Sequence, residues 1–160
     1  MSGPSDASGF HKLFVAKRVN LGSSATTQVE ILEELTDLVV KGGGVAEDRR
    51  AAVLRALKAR EAIGSTGIGL GIAIPHVKVA DVEKTVTAVC VTDGPIDFNA
   101  VDGEPCDVFI LLVSPKNQAE KHLEALRWLS KLVRNQDFSR FLRASRTPRE
   151  AVSLFKEMSE

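Results

Sequence analysis

The chain is expected to fold as an α/β domain in which a central β-sheet is covered by helices. Three observations predict it. Amphipathic helical segments stand before, between and after short apolar runs. One of these runs, DVFILLV at 107–113, is nearly unbroken in large apolar residues, as a strand covered on both faces must be. A length of 160 residues, 44% hydrophobic and 26% charged, suits one globular domain with a real core.

The elements follow in order. Residues 1–9 are rich in Ser and Gly and are expected to be frayed, leaving 10–160 as the folded domain. His11, just after them, reads as a surface histidine. The stretch TTQVEILEELTDLVV predicts a helix: Thr27 and Glu30 have capping-box spacing, and Ile31, Leu32, Leu35, Leu38 and Val39 fall on one face. Lys41 and the glycines at 42–44 stop it. A second helix is expected from Glu47 to Arg60, with Val53, Leu54 and Leu57 as its stripe. Strands are then predicted at 72–74 (IAI), 85–91 (TVTAVCV) and 107–113, with the turn-rich DGPIDFNAVDGEP between the later two. Helical periodicity returns near Ala119, with Leu123, Leu126, Leu129 and Val133 as the expected core stripe. A short helical piece spans Phe138 to Arg143. The last helix opens at TPRE, where Thr147 caps, Pro148 takes the first turn and Glu150 closes a capping box.

Composition excludes several function classes. Lys plus Arg equals Asp plus Glu, 21 against 21, so no global basic field points to nucleic acid or to an anionic membrane. No apolar run reaches the roughly 20 residues of a spanning helix. Two cysteines make no disulfide framework, and no secretory signal is read at the start. The expectation is a reduced, cytoplasmic domain.

The stretch GSTGIGLGIAIPH (64–76) concentrates the chemistry. Gly67, Gly69 and Gly71 suggest a dinucleotide loop, but that motif requires strand, glycine turn and helix in this order. Here a helix precedes the glycines and an apolar strand follows. Pro75 also opposes a helix starting there, and no G-x-x-x-x-G-K-[ST] exists. Two readings remain open from spacing alone. The glycines can serve a turn into a buried strand, with His76 a hydrogen-bonded strand-end residue. Alternatively His76 is a phosphoryl acceptor.

A neutral imidazole is a usable nucleophile near pH 7, since its reference pKa is about 6.5. Phosphoryl transfer to it asks the protein for positioning and for stabilisation of the phosphoryl oxygens. The groups that could serve are Arg60 at the end of the preceding helix, and Ser65, Thr66 and Gly67 in the following loop. Glycines there would let N–H groups approach an anion closely. His122 stands near the start of the helix that begins at Ala119, where negative charge is favoured.

Three segments carry a resemblance: REAIGSTGIGLGIAIPH (60–76), PIDFNAVDGEPCDVFILLVSP (95–115) and HLEALRWLS (122–130). Together they resemble the fructose/mannitol-type IIA domain of the phosphoenolpyruvate-dependent sugar phosphotransferase system, most closely its nitrogen-regulatory branch. The resemblance runs from about Lys12 to Met158. It implies a mixed β-sheet flanked by helices on both faces. It implies that His76 is phosphorylated on an imidazole nitrogen, that Arg60 assists at the phosphoryl group, and that His122 is the second active-site histidine. Ser65, Thr66 and Gly67 match the loop beside that site. The implied donor is an HPr-like phosphocarrier, and the implied acceptor a IIB cysteine of a sugar transporter. Regulatory targets among potassium-transport or sensor proteins are the alternative output, favoured by the absence of fused transporter domains. No metal or other cofactor is implied. A non-catalytic binding module that keeps the fold is the rival reading.

Other conspicuous residues have plainer readings. Cys90 and Cys106 sit in or beside apolar strands, as small buried thiols do. Trp128 reads as packing among leucines. Arg134, Arg140, Arg143, Arg146 and Arg149 read as a solvated face, with docking as the lesser alternative.

Overall fold

A computed structural model of the chain describes residues 9–159. The expectation for residues 1–9 therefore lies, apart from Gly9, outside the described residues. Gly9 precedes a 3-10 turn at Phe10–Leu13. The strands are β1 (Val19–Ser23), β2 (Gly67–Gly69), β3 (Ile72–Ala73), β4 (His76–Val79), β5 (Val86–Ile96) and β6 (Cys106–Pro115). The helices are α1 (Gln28–Lys41), α2 (Arg50–Ile63), α3 (Ala119–Val133), α4 (Gln136–Ala144) and α5 (Pro148–Glu157).

All six strands form one sheet in the order β1-β5-β6-β3-β2, with β4 also on β6. It is mixed, as expected: β1 runs parallel to β5, and β3 and β4 run parallel to β6, while β5 is antiparallel to β6 and β2 to β3. Strand β6 is the centre. Its Phe109, Leu111 and Val113 face a core shared with Ile31, Leu35 and Val39 of α1 and Val53 and Leu57 of α2. Its Val108 and Ile110 face Leu129 and Val133 of α3, Phe138 and Leu142 of α4, and Phe155 of α5. Helices thus cover both faces. Each fully buried aliphatic or aromatic side chain in these layers contributes about 1.5–3 kcal/mol relative to exposure.

Local chemistry sets the helix ends. Thr147 accepts from the Glu150 backbone N–H, and the Glu150 carboxylate returns to the Thr147 N–H, a complete capping box. At α1 the Thr27 hydroxyl accepts from Glu30 N–H at 3.1 Å, but the Glu30 carboxylate reaches back to Thr26 instead. The second helix begins at Arg50 after a 3-10 turn at Glu47–Arg49 and continues past the expected Arg60 to Ile63.

The core stripe of α3 needs a correction. Leu123, expected inside, is 45% exposed, and His122 takes the inward position with Ala125, Leu129, Leu132 and Val133. Leu129 and Val133 are buried as expected and Leu126 partly so; only Leu123, about 100° round the helix from His122, falls outside the stripe. Trp128 packs as read, with its ring 5.9 Å from Phe10 and 6.1 Å from Phe14. Arg134, Arg140, Arg143, Arg146 and Arg149 are exposed, yet Arg143 is tied down: it chelates Asp107 and donates to the Leu70 carbonyl at 2.9 Å. His11 is half-buried on the first turn.

The glycine stretch makes a hairpin. Gly69, Leu70 and Gly71 have φ of 95°, 62° and 75°, a left-handed run that turns β2 into β3. Ile72 then pairs with Val108, and beyond Pro75, His76 pairs with Leu112. The register is unchanged across the gap, so β3 and β4 are one strand interrupted at Ile74–Pro75. Proline has no N–H to give the ladder, but its carbonyl still accepts from Leu112 at 3.0 Å.

Candidate phosphoryl-transfer site

His76 opens β4, where the side chains alternate. Val77 and Val79 are buried against the α1–α2 layer, leaving the half-buried His76 and the exposed Lys78 on the opposite face. The Nδ1 atom of His76 lies 2.7 Å from the Ile74 carbonyl oxygen. A carbonyl can only accept, so Nδ1 carries the proton and Nε2 holds the lone pair. Burial pushes the His76 pKa down, the charges of Arg60 and Lys78 add to this, and the bond to Ile74 opposes it. The ring is consequently neutral at pH 7, with Nε2 as a nucleophile.

His122, in the first turn of α3, stands beside it. The ring centroids are 5.9 Å apart and tilted by 40°. His122 is only 5% exposed, and its Nδ1 is 2.6 Å from Ser114 Oγ. Burial pushes its pKa down to about 4, helped by His76 and Lys78. Arg60 reaches the site from the last turn of α2, which packs on β4. Its Nη1 donates to the Gly64 carbonyl at 2.7 Å, and its charge acts on His76.

The loop residues are placed differently. Ser65 Oγ donates to the Phe98 carbonyl at 2.5 Å and accepts from Gly67 N–H at 3.0 Å. Thr66 donates through both its N–H and its hydroxyl to the Glu61 carboxylate. Burial pushes the Glu61 pKa up, and these two bonds and Arg60 oppose it. The hydroxyl of Ser65, both donors of Thr66 and the N–H of Gly67 are therefore engaged, and the loop braces the Arg60 helix end. The Thr66 carbonyl in turn accepts from Ile74 N–H at 3.0 Å, stitching the loop to the residue whose carbonyl orients His76.

Two residues that spacing did not single out belong here. Lys78 was visible as the next same-face residue on an alternating strand, HVKV. Ser114 was visible as a hydroxyl ending an apolar run, and its partner is revealed only by the fold. Among the described residues, no group of three or more His, Cys, Asp or Glu could hold a metal ion. No helix among them is long and apolar enough to cross a membrane. Both thiols are buried.

A neutral, oriented imidazole beside two cations and a second imidazole has the chemistry to attack an anionic electrophile. The family model described as "Phosphoenolpyruvate-dependent sugar phosphotransferase system, EIIA 2" matches residues 12–158, and the chain belongs to that family. The chain is 37% identical over 122 residues to a nitrogen regulatory protein of Bradyrhizobium diazoefficiens, covering 76% of this chain and 80% of that one. It is 32% identical over 142 residues to a fructose-specific EIIA component of Haloferax volcanii, covering 89% and 91%. Among solved structures, the nitrogen regulatory protein IIA-Ntr of Neisseria meningitidis superposes with a TM-score of 0.83 at 28% identity, over 91% of this chain and 97% of that one. Mannitol IIA of Escherichia coli, solved in complex with phosphorylated mannitol IIB, shares the fold at a TM-score of 0.74 and 22% identity, over 89% and 96%.

Proposed function

We propose that this chain is a histidine phosphocarrier of the phosphotransferase system, with His76 Nε2 as the atom that takes and gives the phosphoryl group. The observation that carries the reading is the Nδ1–H bond from His76 to the Ile74 carbonyl. It fixes the ring, leaves the lone pair on Nε2 and keeps Nδ1–H in place during the reaction.

The donor is a phosphohistidine of an HPr-like carrier. Its N–P bond breaks as the Nε2–P bond of His76 forms, and the freed electron pair stays on the donor nitrogen. The product ring carries both the phosphoryl group and the Nδ1 proton. It is stabilised by the Ile74 carbonyl and is a good leaving group for the next step. Transfer onward to a IIB cysteine thiolate reverses the change at His76 and restores its lone pair. Arg60 and Lys78 offset the negative charge of the group, and His122 faces it. No metal is needed, because these protein groups supply the charge stabilisation.

In this reading the chain is a phosphotransferase component acting in the cytoplasm. Its likeness to nitrogen regulatory proteins favours a regulatory output, in which the phosphorylation state of His76 governs which partner binds. The mannitol IIA–IIB complex supports a IIB-type acceptor as well.

Incubation with phosphoenolpyruvate, Enzyme I and HPr, followed by intact mass at alkaline pH, tests the reading. The expected result is one added phosphoryl group, lost on His76→Ala. An unchanged mass in the presence of active carriers overturns it and favours the non-catalytic binding module.

A further inference from the structure

Ser114 stands at the end of β6 with no measurable exposure. The antiparallel register that pairs Val86 with Val113 brings Thr85 opposite it, and the parallel register pairs it with Lys78 on its other side. Its Oγ is 2.6 Å from His122 Nδ1 and 3.1 Å from Thr85 Oγ1. Thr85 is itself only 9% exposed. A buried hydroxyl in an apolar strand is costly unless bonded, and these three groups bond one another.

The protons of such a chain can run in two ways. In one, His122 Nδ1–H donates to Ser114, Ser114 donates to Thr85, and Nε2 is left as a bare lone pair. In the other, Thr85 donates to Ser114, Ser114 donates to Nδ1, and Nε2 carries the hydrogen. A neutral imidazole has one donor and one acceptor nitrogen, so the hydroxyls decide which nitrogen donates. Before phosphorylation burial lowers the His122 pKa to about 4, so the ring is neutral at pH 7 and has a single N–H to direct. The ring beside it, centroid to centroid 5.9 Å away, is His76. A phosphoryl group there presents three acceptor oxygens and nearly two negative charges. A bare Nε2 lone pair would repel it, whereas an Nε2–H would bond it.

We propose that Ser114, backed by Thr85, is a positioning residue that holds His122 as its Nε2–H tautomer, so that neutral His122 donates to the phosphoryl group on His76. The proposal rests on the phosphocarrier reading. It assigns the work of a charged donor to a neutral one whose direction is set from behind.

The test is ¹⁵N-resolved NMR of the imidazole nitrogens in free and phosphorylated protein, with the phosphoryl-exchange equilibrium against HPr measured alongside. In the wild type, His122 Nε2 is expected to carry the hydrogen and Nδ1 to resonate as an acceptor. Ser114→Ala should give mixed tautomers and shift the exchange equilibrium about tenfold toward HPr, the scale of one hydrogen bond to a charged group. Thr85→Val, nearly isosteric, should move both readouts the same way by less, and Thr85→Ser should restore them. If Ser114→Ala fails to fold, the Thr85 pair alone decides. A phosphorylated wild type with hydrogen on Nδ1 of His122 overturns the proposal and leaves the phosphocarrier reading standing. So does a Thr85→Val protein with unchanged tautomer and equilibrium. A wild type that takes up no phosphoryl group overturns both.

Discussion

The Nδ1 atom of His76 donates to the carbonyl of Ile74, two residues earlier, across 2.7 Å. Pro75 lies between them and breaks the strand locally without changing its register on β6. The proposed nucleophile is thereby oriented by its own backbone. Its free nitrogen is Nε2, so phosphoryl chemistry at this site should yield the Nε2 isomer. Digestion of the phosphorylated protein at alkaline pH and separation of the two phosphohistidine isomers checks this. Predominance of the Nδ1 isomer would contradict the tautomer drawn from the Ile74 bond.

Both site histidines are held neutral by burial, which ties stability to pH. Burial lowers the folded-state pKa of His122 to about 4, well below the ordinary imidazole value of about 6.5, and that of His76 is also lowered. A group with a depressed folded pKa binds fewer protons when folded, so its penalty is absent above the unfolded value and grows as pH falls. Stability should therefore decline from about pH 6.5 down to about pH 4. Urea denaturation midpoints across that range measure it, and His122→Asn should flatten part of the decline. A wild-type midpoint that holds constant over the range counts against the buried neutral ring.

The thiols should be inert. Burial pushes Cys106 up to about 11, and Asp102 and Asp107 add to it. Burial, then the neighbouring Glu34, pushes Cys90 up further. Folded protein treated with iodoacetamide near neutral pH is expected to remain unlabelled by mass, and to take two labels once unfolded. Rapid labelling of the native protein would show that one thiol reaches solvent.

Much of this was legible in sequence, and the failures have physical causes. The capping residues Thr27 and Thr147 and the apolar stripes placed α1 and α5 because such signals are local. The run 107–113 announced the central strand because burial on both faces leaves no polar alternation. Strand β1 was missed: VNLGS has one large apolar residue buried, Val19, and a glycine, so its pairing with β5 comes from tertiary contact. Strand β2 was missed for the same reason, since Gly67–Gly69 owes its conformation to the hairpin. At the candidate site, the motifs put forward Arg60, His76 and His122, and the fold brings these three side chains together. The Ile74, Ser114 and Lys78 contributions depend on registers between strands far apart in the chain. The leucine pattern of α3 misled only at Leu123, which is exposed where His122 turns inward.

Gly67 is held by space rather than by an unusual φ. A Cβ built on it would lie 2.7 Å from Ala100 Cβ and 3.0 Å from Ala100 Cα. Gly67→Ala must push the 97–101 loop away, straining the Ser65 bond to Phe98. The expected loss is about 1–3 kcal/mol, as for overpacking in a core. Thermal or urea unfolding measures it, and Gly64→Ala, which meets nothing within 4 Å, is the control. Equal losses in the two variants would remove the steric explanation.

Arg60 carries two separable effects on His76. Its charge is among the causes that lower the His76 pKa, so Arg60→Met should raise that pKa, as an NMR titration would show. The same substitution removes a cation from beside the phosphoryl oxygens, and the transfer rate from HPr should fall about a hundredfold, the scale for losing one preorganised donor. Its Nη1 also closes the α2 end on the Gly64 carbonyl, a bond whose loss costs about 0.5–1.5 kcal/mol. Arg60→Lys separates these contributions. It keeps the charge, so the His76 pKa should stay near the wild-type value. It loses the planar fork, so the rate should remain well below wild type. A lysine variant with the full rate would reduce Arg60 to a point charge, and a methionine variant with an unchanged His76 pKa would place its charge too far away to matter.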